Sequence, residues 1–363
     1  MLVAACGSDS TTESTSAAAP TTAASAATNE PATTAAAATE TSAAGSTETS
    51  TAGTTGAPVT GHFTVGIALG APKNDQAYFQ SVFEGASGGA KTAGAEFTVI
   101  DNLTDETAAG DAIRNLSETN KVVVADITLL GALIPVAQEH PEVQYIVTSG
   151  FFKEGDVPAN VHGYVTVYGW PAYPMGVIAA TITKSGKLGY ITGPTFPIER
   201  TALAGFKAGA QSVKPDIQVV ETVIDSYSDV PGAKNAASAQ IASGVDVLYG
   251  FIDAGFVGLQ QAADESGKDV KLFSPVVDRC DRGKNIVGNN VSDIKAMTAA
   301  AVNDFVKGTL PLTKAYGLED EKIQYFNLCS GFQTPDLTPL ADKTVASIKD
   351  GSLKLPAEVT AGS

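Results

Sequence analysis

Acidic and aromatic residues recur together just after apolar runs of this chain. Asp75, Tyr78 and Phe79 follow the run from His62 to Leu69 across a Gly-Ala-Pro-Lys-Asn turn. Asp126 closes Lys121-Val-Val-Val-Ala, and Phe251 and Asp253 follow the run that ends at Tyr249. Tyr168, Trp170 and Tyr173 form a further aromatic cluster, with Pro171 and Pro174 between them. A ring can cover the face of a planar ligand while a carboxylate accepts from its polar edge. That is binding chemistry. The means for catalysis are thinner: His62, His140 and His162 are scattered without metal-ligand spacing, and no Gly-x-Ser-x-Gly elbow occurs. Gly85-Ala-Ser-Gly-Gly-Ala-Lys-Thr92 lacks the glycine-lysine pairing of a phosphate loop and falls inside a helical pattern.

The elements around these residues alternate. His62–Leu69 reads as a strand, and a helix from about Asp75 to Thr92 follows, with Asp75 able to cap its first turn. Tyr78, Val82, Phe83 and Ala86 keep the spacing of one helical face. Further strands are expected at Glu96–Ile100, Lys121–Asp126, Val143–Val147, Asn160–Tyr168, Leu188–Thr192 and Ile241–Tyr249, with helices between them. Short connections in a β-α-β order predict parallel sheets with helices on both faces. In such sheets ligands collect where a strand's carboxyl end meets the next helix. Asp75, Tyr78, Asp126, Tyr249, Phe251 and Asp253 all fall at such ends, and Trp170 is expected to line the same cleft. Asp126 also suits a plain helix cap.

The start of the chain bears on compartment. Leu2-Val-Ala-Ala-Cys6 has the form of a lipoprotein lipobox, which makes Cys6 the expected acylation site at the end of a truncated signal. Residues 7–60 are almost wholly Ala, Thr, Ser, Gly, Pro and Glu, without an aromatic. Such a segment buries too little apolar surface to offset its ordering entropy and is expected to be a disordered tether. As a coil it would span on the order of 40 Å. The remainder, with 34 acids against 23 bases, is too acidic for nucleic-acid contact. No run of 18 apolar residues occurs, so the expected membrane link is a lipid. Cys280 and Cys329 remain as an even pair, either a disulfide or two buried thiols.

Asp75-Gln-Ala-Tyr-Phe-Gln-Ser-Val-Phe-Glu-Gly resembles the D-K-S-F-N-Q-x-x-W-E-G motif of the basic membrane protein family. These are bacterial substrate-binding lipoproteins that include purine nucleoside receptors. Ala137-Gln-Glu-His-Pro-Glu-Val-Gln-Tyr, Thr183-Lys-Ser-Gly-Lys-Leu-Gly-Tyr, Pro197-Ile-Glu-Arg-Thr-Ala-Leu-Ala-Gly-Phe and Lys214-Pro-Asp-Ile-Gln-Val resemble further family signatures, and the likeness covers roughly residues 62–335. It implies a two-lobed, type 1 periplasmic-binding-protein-like α/β fold. Lobe 1 is expected at about 61–165 and 279–323, and lobe 2 at about 166–278 and 324–350, within a binding domain over 61–363.

The resemblance also implies a function. The chain would be a lipid-anchored, monomeric binding protein on the extracytoplasmic face of the membrane, passing a nucleoside-like ligand to ABC permease subunits, with no cofactor, metal or nucleic acid. A sensing domain of a membrane receptor, or a binding protein for another solute, are the alternatives. Tyr78 would stack on one face of a base and Tyr249, Phe251 or Trp170 on the other, with Asp75 and Asp126 at the base edge. Asp278 matches the aspartate that holds the ribose hydroxyls in nucleoside receptors. Arg279 stands where the family has glutamine, and Ser292 or its neighbours where a lysine completes the sugar site.

Overall fold

The computed structural model describes residues 57–75 and 77–360. Cys6 and nearly all of the expected tether lie outside them. The first lobe begins with β1 (Thr64–Ala68), α1 (Tyr78–Thr92), β2 (Glu96–Ile100), α2 (Glu106–Thr119), β3 (Val122–Asp126), α3 (Leu130–Glu139), β4 (Gln144–Thr148) and β5 (Val161–Thr166). The second holds α4 (Gly169–Ile182), β6 (Lys187–Thr192), α5 (Pro197–Val213), β7 (Gln218–Val223), α6 (Val230–Ala242), β8 (Val247–Phe251), α7 (Phe256–Glu265), β9 (Lys271–Val276) and β10 (Ile286–Ser292). The chain returns to the first lobe for α8 (Ile294–Lys307) and β11 (Thr313–Tyr316), then crosses again for β12 (Gln324–Leu328) and α9 (Leu337–Lys349).

The strands form two six-stranded sheets, ordered β11-β5-β4-β3-β1-β2 and β12-β10-β9-β8-β6-β7. The two orders are the same pattern, so each strand has a counterpart in the other lobe. Every pairing is parallel except β10 with β12, which is antiparallel. The central strand β3 opens on an apolar run: Val122, Val123, Val124 and Ala125 are all buried, as burial on both faces requires.

Capping carboxylates place several helices. Asp105, Asp229 and Asp293 accept from Ala108, Gly232 and Ala296 at 2.8–2.9 Å, at the starts of α2, α6 and α8. Gly308, at φ 67, ends α8 in the left-handed region. Helix α4 is buried nearly all round. Its contact with α5 is close enough that a Cβ on Gly176 would stand 2.1 Å from the Phe206 carbonyl oxygen. One apolar cluster runs through both lobes, from Val65 and Val82 to Tyr190, Phe206 and Phe273. Separate clusters fill the outer face of each lobe, under α2 and α3 and under α6 and α7.

One expectation is corrected here. The return to lobe 1 was expected at residue 279, but β10 pairs with β9, so residues 279–292 stay with the second lobe and the crossing falls at Asp293. Ile286-Val-Gly-Asn-Asn-Val-Ser292 carries two asparagines and a glycine, a poor strand composition by propensity. Its neighbours override that: all seven residues are buried. The expected two-lobed α/β fold with parallel sheets stands, with one antiparallel edge strand: β12 arrives from the opposite direction and pairs Leu328 with Gly288.

Candidate functional site

The carboxyl ends of both sheets face a cavity between the lobes. Lobe 1 contributes Tyr78, Phe79, Thr128 and Ser149 to its wall, with Tyr168 at the crossing. Lobe 2 contributes Phe196, Glu199, Tyr227, Phe251, Asp253 and Val276. The cavity is about 50 Å³, far below the roughly 300 Å³ at which small-molecule sites begin. The lobes must part to admit a ligand of drug or metabolite size.

Tyr78 opens α1 and is set by both its ends. Its hydroxyl donates to Thr148 Oγ1 at 2.8 Å and pairs with Ser149 Oγ at 2.8 Å. Its ring meets that of Phe79 edge-on, with centroids 5.3 Å apart. Burial, then the charge of Asp126, pushes the phenol well above its ordinary pKa, so it stays a neutral ring. Asp75 caps the same helix, accepting from the backbone N–H of Ala77, Phe79 and Gln80 at 2.9–3.2 Å. Asp126 is equally committed: it accepts from Gly70 N at 2.8 Å, from Thr128 N at 2.9 Å and from the Thr128 hydroxyl. It is fully buried and does not line the cavity, so the helix-cap reading describes it.

Lobe 2 brings the rings opposite. Phe251 lines the cavity and meets Tyr168 edge-on at 5.0 Å. Asp253 lies two residues on, half-buried. Burial in the closed cleft, then the charge of Asp75 from the other lobe, raises its carboxyl to about 7, against the pull of Arg279. Glu199 is buried at the start of α5, where it accepts from Phe196 N at 2.8 Å and from the Tyr227 hydroxyl at 2.7 Å. Desolvation lifts its pKa to about 7 as well.

Besides Asp75 and Asp126, three more of the residues expected in the site lie away from the cavity wall. Tyr249 is fully buried, its ring 5.4 Å from those of both Tyr190 and Phe206, because its side chain points into the core face of β8. Trp170 packs over Gly317, whose added Cβ would lie 2.7 Å from the indole, and against the cluster of Tyr173, Val177, Leu318 and Ile348. Asp278 is exposed, and its carboxylate accepts from Cys280 N at 2.8 Å, Asn289 Nδ2 at 3.1 Å and Asn327 Nδ2 at 2.8 Å. It organises the loop beside the Cys280–Cys329 disulfide and does not border the cavity.

Arg279, one residue on, is mostly buried behind Asp253. Its Nη1 donates to Ser274 Oγ at 2.6 Å and to Pro275 O at 2.8 Å, and its guanidinium lies 4.9 Å over the Phe256 ring. Desolvation lowers its pKa to about 10, which leaves it a cation.

Sequence reasoning passed over Glu199, Phe196, Tyr227, Ser149 and Val276. Phe196-Pro-Ile-Glu199 has the acid at the third helical position, half of a capping box, which is the signal that could have drawn attention to Glu199. Ser149 and Val276 have left-handed backbone, at φ 62 and φ 65. Ser149 follows the last residue of β4 and Val276 is the last of β9, strands that hold the same place in the two sheets. That conformation costs a non-glycine residue, a β-branched one above all, on the order of 1–3 kcal/mol, and such strain gathers at ligand sites. Among the described residues no group of His, Cys, Asp and Glu is arranged to hold a metal. None of the described helices is long and apolar enough to cross a membrane.

Residues 64–345 match the family described as ABC transporter substrate-binding protein, PnrA-like. An ABC transporter nucleoside-binding protein of Lactococcus lactis, BmpA, is 25% identical over 302 residues, 80% of this chain and 84% of the relative. A purine-binding protein of Brucella abortus is 29% identical over 185 residues, 50% of this chain and 51% of the relative. Basic membrane protein A2 of Borrelia garinii is 28% identical over 132 residues, which span 36% of this chain and 39% of that relative. Among solved structures, an ABC transporter solute-binding protein of Aeropyrum pernix shares the fold at a TM-score of 0.70 and 19% identity, covering 81% of this chain and 94% of that one.

Proposed function

Because the chain belongs to the PnrA-like family of ABC transporter substrate-binding proteins, we propose that it is a lipid-anchored, extracytoplasmic binding protein that passes a nucleoside- or nucleobase-like solute to an ABC importer. The observation that carries the ligand class is the wall of the interlobe cavity. Rings from both lobes, Tyr78 and Phe79 facing Phe196 and Phe251, surround a carboxylate. Rings suit the faces of a planar heterocycle and a carboxylate suits its N–H edge. The nucleoside- and purine-binding relatives support the same class.

The work requires binding and hinge closure, without bond chemistry. The chain passes between the sheets three times, near Val167, at Asp293 and between Tyr316 and Gln324, and these segments are the hinge. Backbone bonds tie them together, Val167 N to Tyr316 O at 2.8 Å and Asp293 N to Ile323 O at 2.6 Å. Such a bundle lets the lobes rotate while the crossing stays ordered. Anchoring rests on Leu2–Cys6 alone.

Calorimetry with a panel of nucleosides and free bases tests the ligand class, and an absence of binding across the panel sinks it. With a complete signal supplied, Cys6→Ser should move the protein from the membrane fraction to the soluble one. A variant that stays with the membrane contradicts the anchor.

A further inference from the structure

The acids in and around the cleft are not equivalent, and only Glu199 and Asp253 line the cavity. Asp75 is saturated by the N–H groups of α1, Asp126 by Gly70 and Thr128, and Glu199 by Phe196 N and the Tyr227 hydroxyl. Asp253 differs: no described residue donates a hydrogen bond to its carboxylate, although it lines the cavity. Its backbone, by contrast, is held firmly. Asp253 N and Gly255 N both donate to Tyr227 O, at 3.1 and 3.0 Å, and Phe256 N donates to Asp253 O at 3.1 Å. Arg279, the nearest cation, spends Nη1 on Ser274 and Pro275, and its Nη2 reaches only the Asp253 carbonyl, at 3.5 Å. A fixed backbone thus presents to a ring-walled space a carboxylate that no described residue satisfies. A charge half-buried in that state gains from a ligand that supplies donors.

A carboxylate has two oxygens side by side and accepts best from two parallel N–H groups. Adjacent ring-edge donors of this kind occur in a 2-amino-6-oxopurine, where N1–H and the 2-amino group lie next to each other. A 6-oxopurine without the amino group offers N1–H alone, and a 6-aminopurine offers one donor beside an acceptor. We propose that Asp253 is the specificity-determining residue of the cleft, and that it selects a heterocycle bearing two adjacent N–H donors, the guanine type. The proposal rests on the heterocycle-binding reading above and narrows it.

The ionised carboxylate is the acceptor, so the preference has a pH dependence. The charged or titratable groups that act on Asp253 are Asp75 across the cleft, Arg279 behind it, and Glu199, Tyr168 and Tyr227 on the surrounding wall. With its pKa at about 7 in the closed cleft, the guanine preference should strengthen as pH rises from 6 to 8. The same rise should persist in Glu199→Gln.

The test is calorimetry on the full chain with guanine, hypoxanthine and adenine and with their nucleosides, at pH 6 and 8. Wild type is compared with Asp253→Asn and Asp253→Ser, each first checked for a cooperative thermal transition. Loss of one donor to a charged acceptor corresponds to roughly a ten- to hundred-fold change in affinity. Guanine should therefore exceed hypoxanthine by that factor in wild type, and both variants should bring the two within about threefold. Equal guanine and hypoxanthine affinities in wild type, or a preference that survives in both variants, overturn the role of Asp253 while leaving heterocycle binding in place. A pH dependence lost in Glu199→Gln would assign it to Glu199 and overturn the proposal. Failure to bind any of the six compounds overturns the functional reading itself.

Discussion

Tyr78 separates two jobs that one side chain performs. Its ring lines the cavity, whereas its hydroxyl bonds Thr148 and Ser149 inside the same lobe. Because those bonds never cross the cleft, they persist whether the lobes are open or closed. Tyr78→Phe should therefore lower stability with little effect on affinity. The loss is set by leaving the fully buried Thr148 hydroxyl with only a 3.4 Å contact to Ala125 O, about 1–3 kcal/mol for an unsatisfied buried group. Tyr78→Ala removes the ring as well. Stacking contributes about 0.5–1.5 kcal/mol beyond area burial. Ring surface covered by the ligand, on the order of 40 Å² on one face, adds ~1 kcal/mol. Affinity should fall by roughly ten- to seventy-fold at constant pH. Thermal melts and calorimetry on both variants decide it. Equal weakening by Tyr78→Phe and Tyr78→Ala would mean that the hydroxyl itself contacts the ligand, and unchanged binding in Tyr78→Ala would remove the ring from the site.

The remaining tests concern stability and the displaced sugar site. Cys280→Ser with Cys329→Ser opens a crosslink between residues 49 apart, which the chain-entropy relation puts at about 4 kcal/mol in denaturant unfolding; a midpoint that matches the oxidised wild type refutes it. Glu199 has a folded pKa of about 7, above its ordinary 4.5, so its penalty is absent when both folded and unfolded forms are protonated. Its contribution to stability should then decline as pH rises from about 4.5 to 7, by on the order of 3 kcal/mol, and Glu199→Gln should remove that part of the decline while leaving the part due to Asp253. Asp278→Ala should lower the melting temperature by releasing Asn289 and Asn327, while any discrimination between nucleoside and free base is retained. Loss of that discrimination would return Asp278 to the ligand.

Much of the architecture was legible because local patterns were strong. Runs such as Val122–Ala125 read as buried strands, and Asp75 sits where α1 needs its cap. The antiparallel β12 and the placement of β10 were not legible. Asn289 and Asn290 argue against a strand until β9 and β12 close on both sides of them.

Tyr78 and the run Phe251–Asp253 could be located from strand ends alone, although Asp75 at the first of these corners turns its carboxylate to α1 and does not line the cavity. Which carboxylate receives no donor from the described residues was decided by tertiary structure. Asp75 finds its donors within five residues, as its cap position predicts, whereas only the folded chain brings distant donors to Asp126 and Asp278 and none from the described residues to the Asp253 carboxylate. Gly70 is 56 residues from Asp126, and Asn327 is 49 from Asp278. Likewise Tyr249 and Phe251 lie on one strand, two residues apart, yet only Phe251 borders the cavity. Periodicity fixes the shared face of a strand, but the depth at which that face leaves the core depends on the helices and the second lobe that cover it.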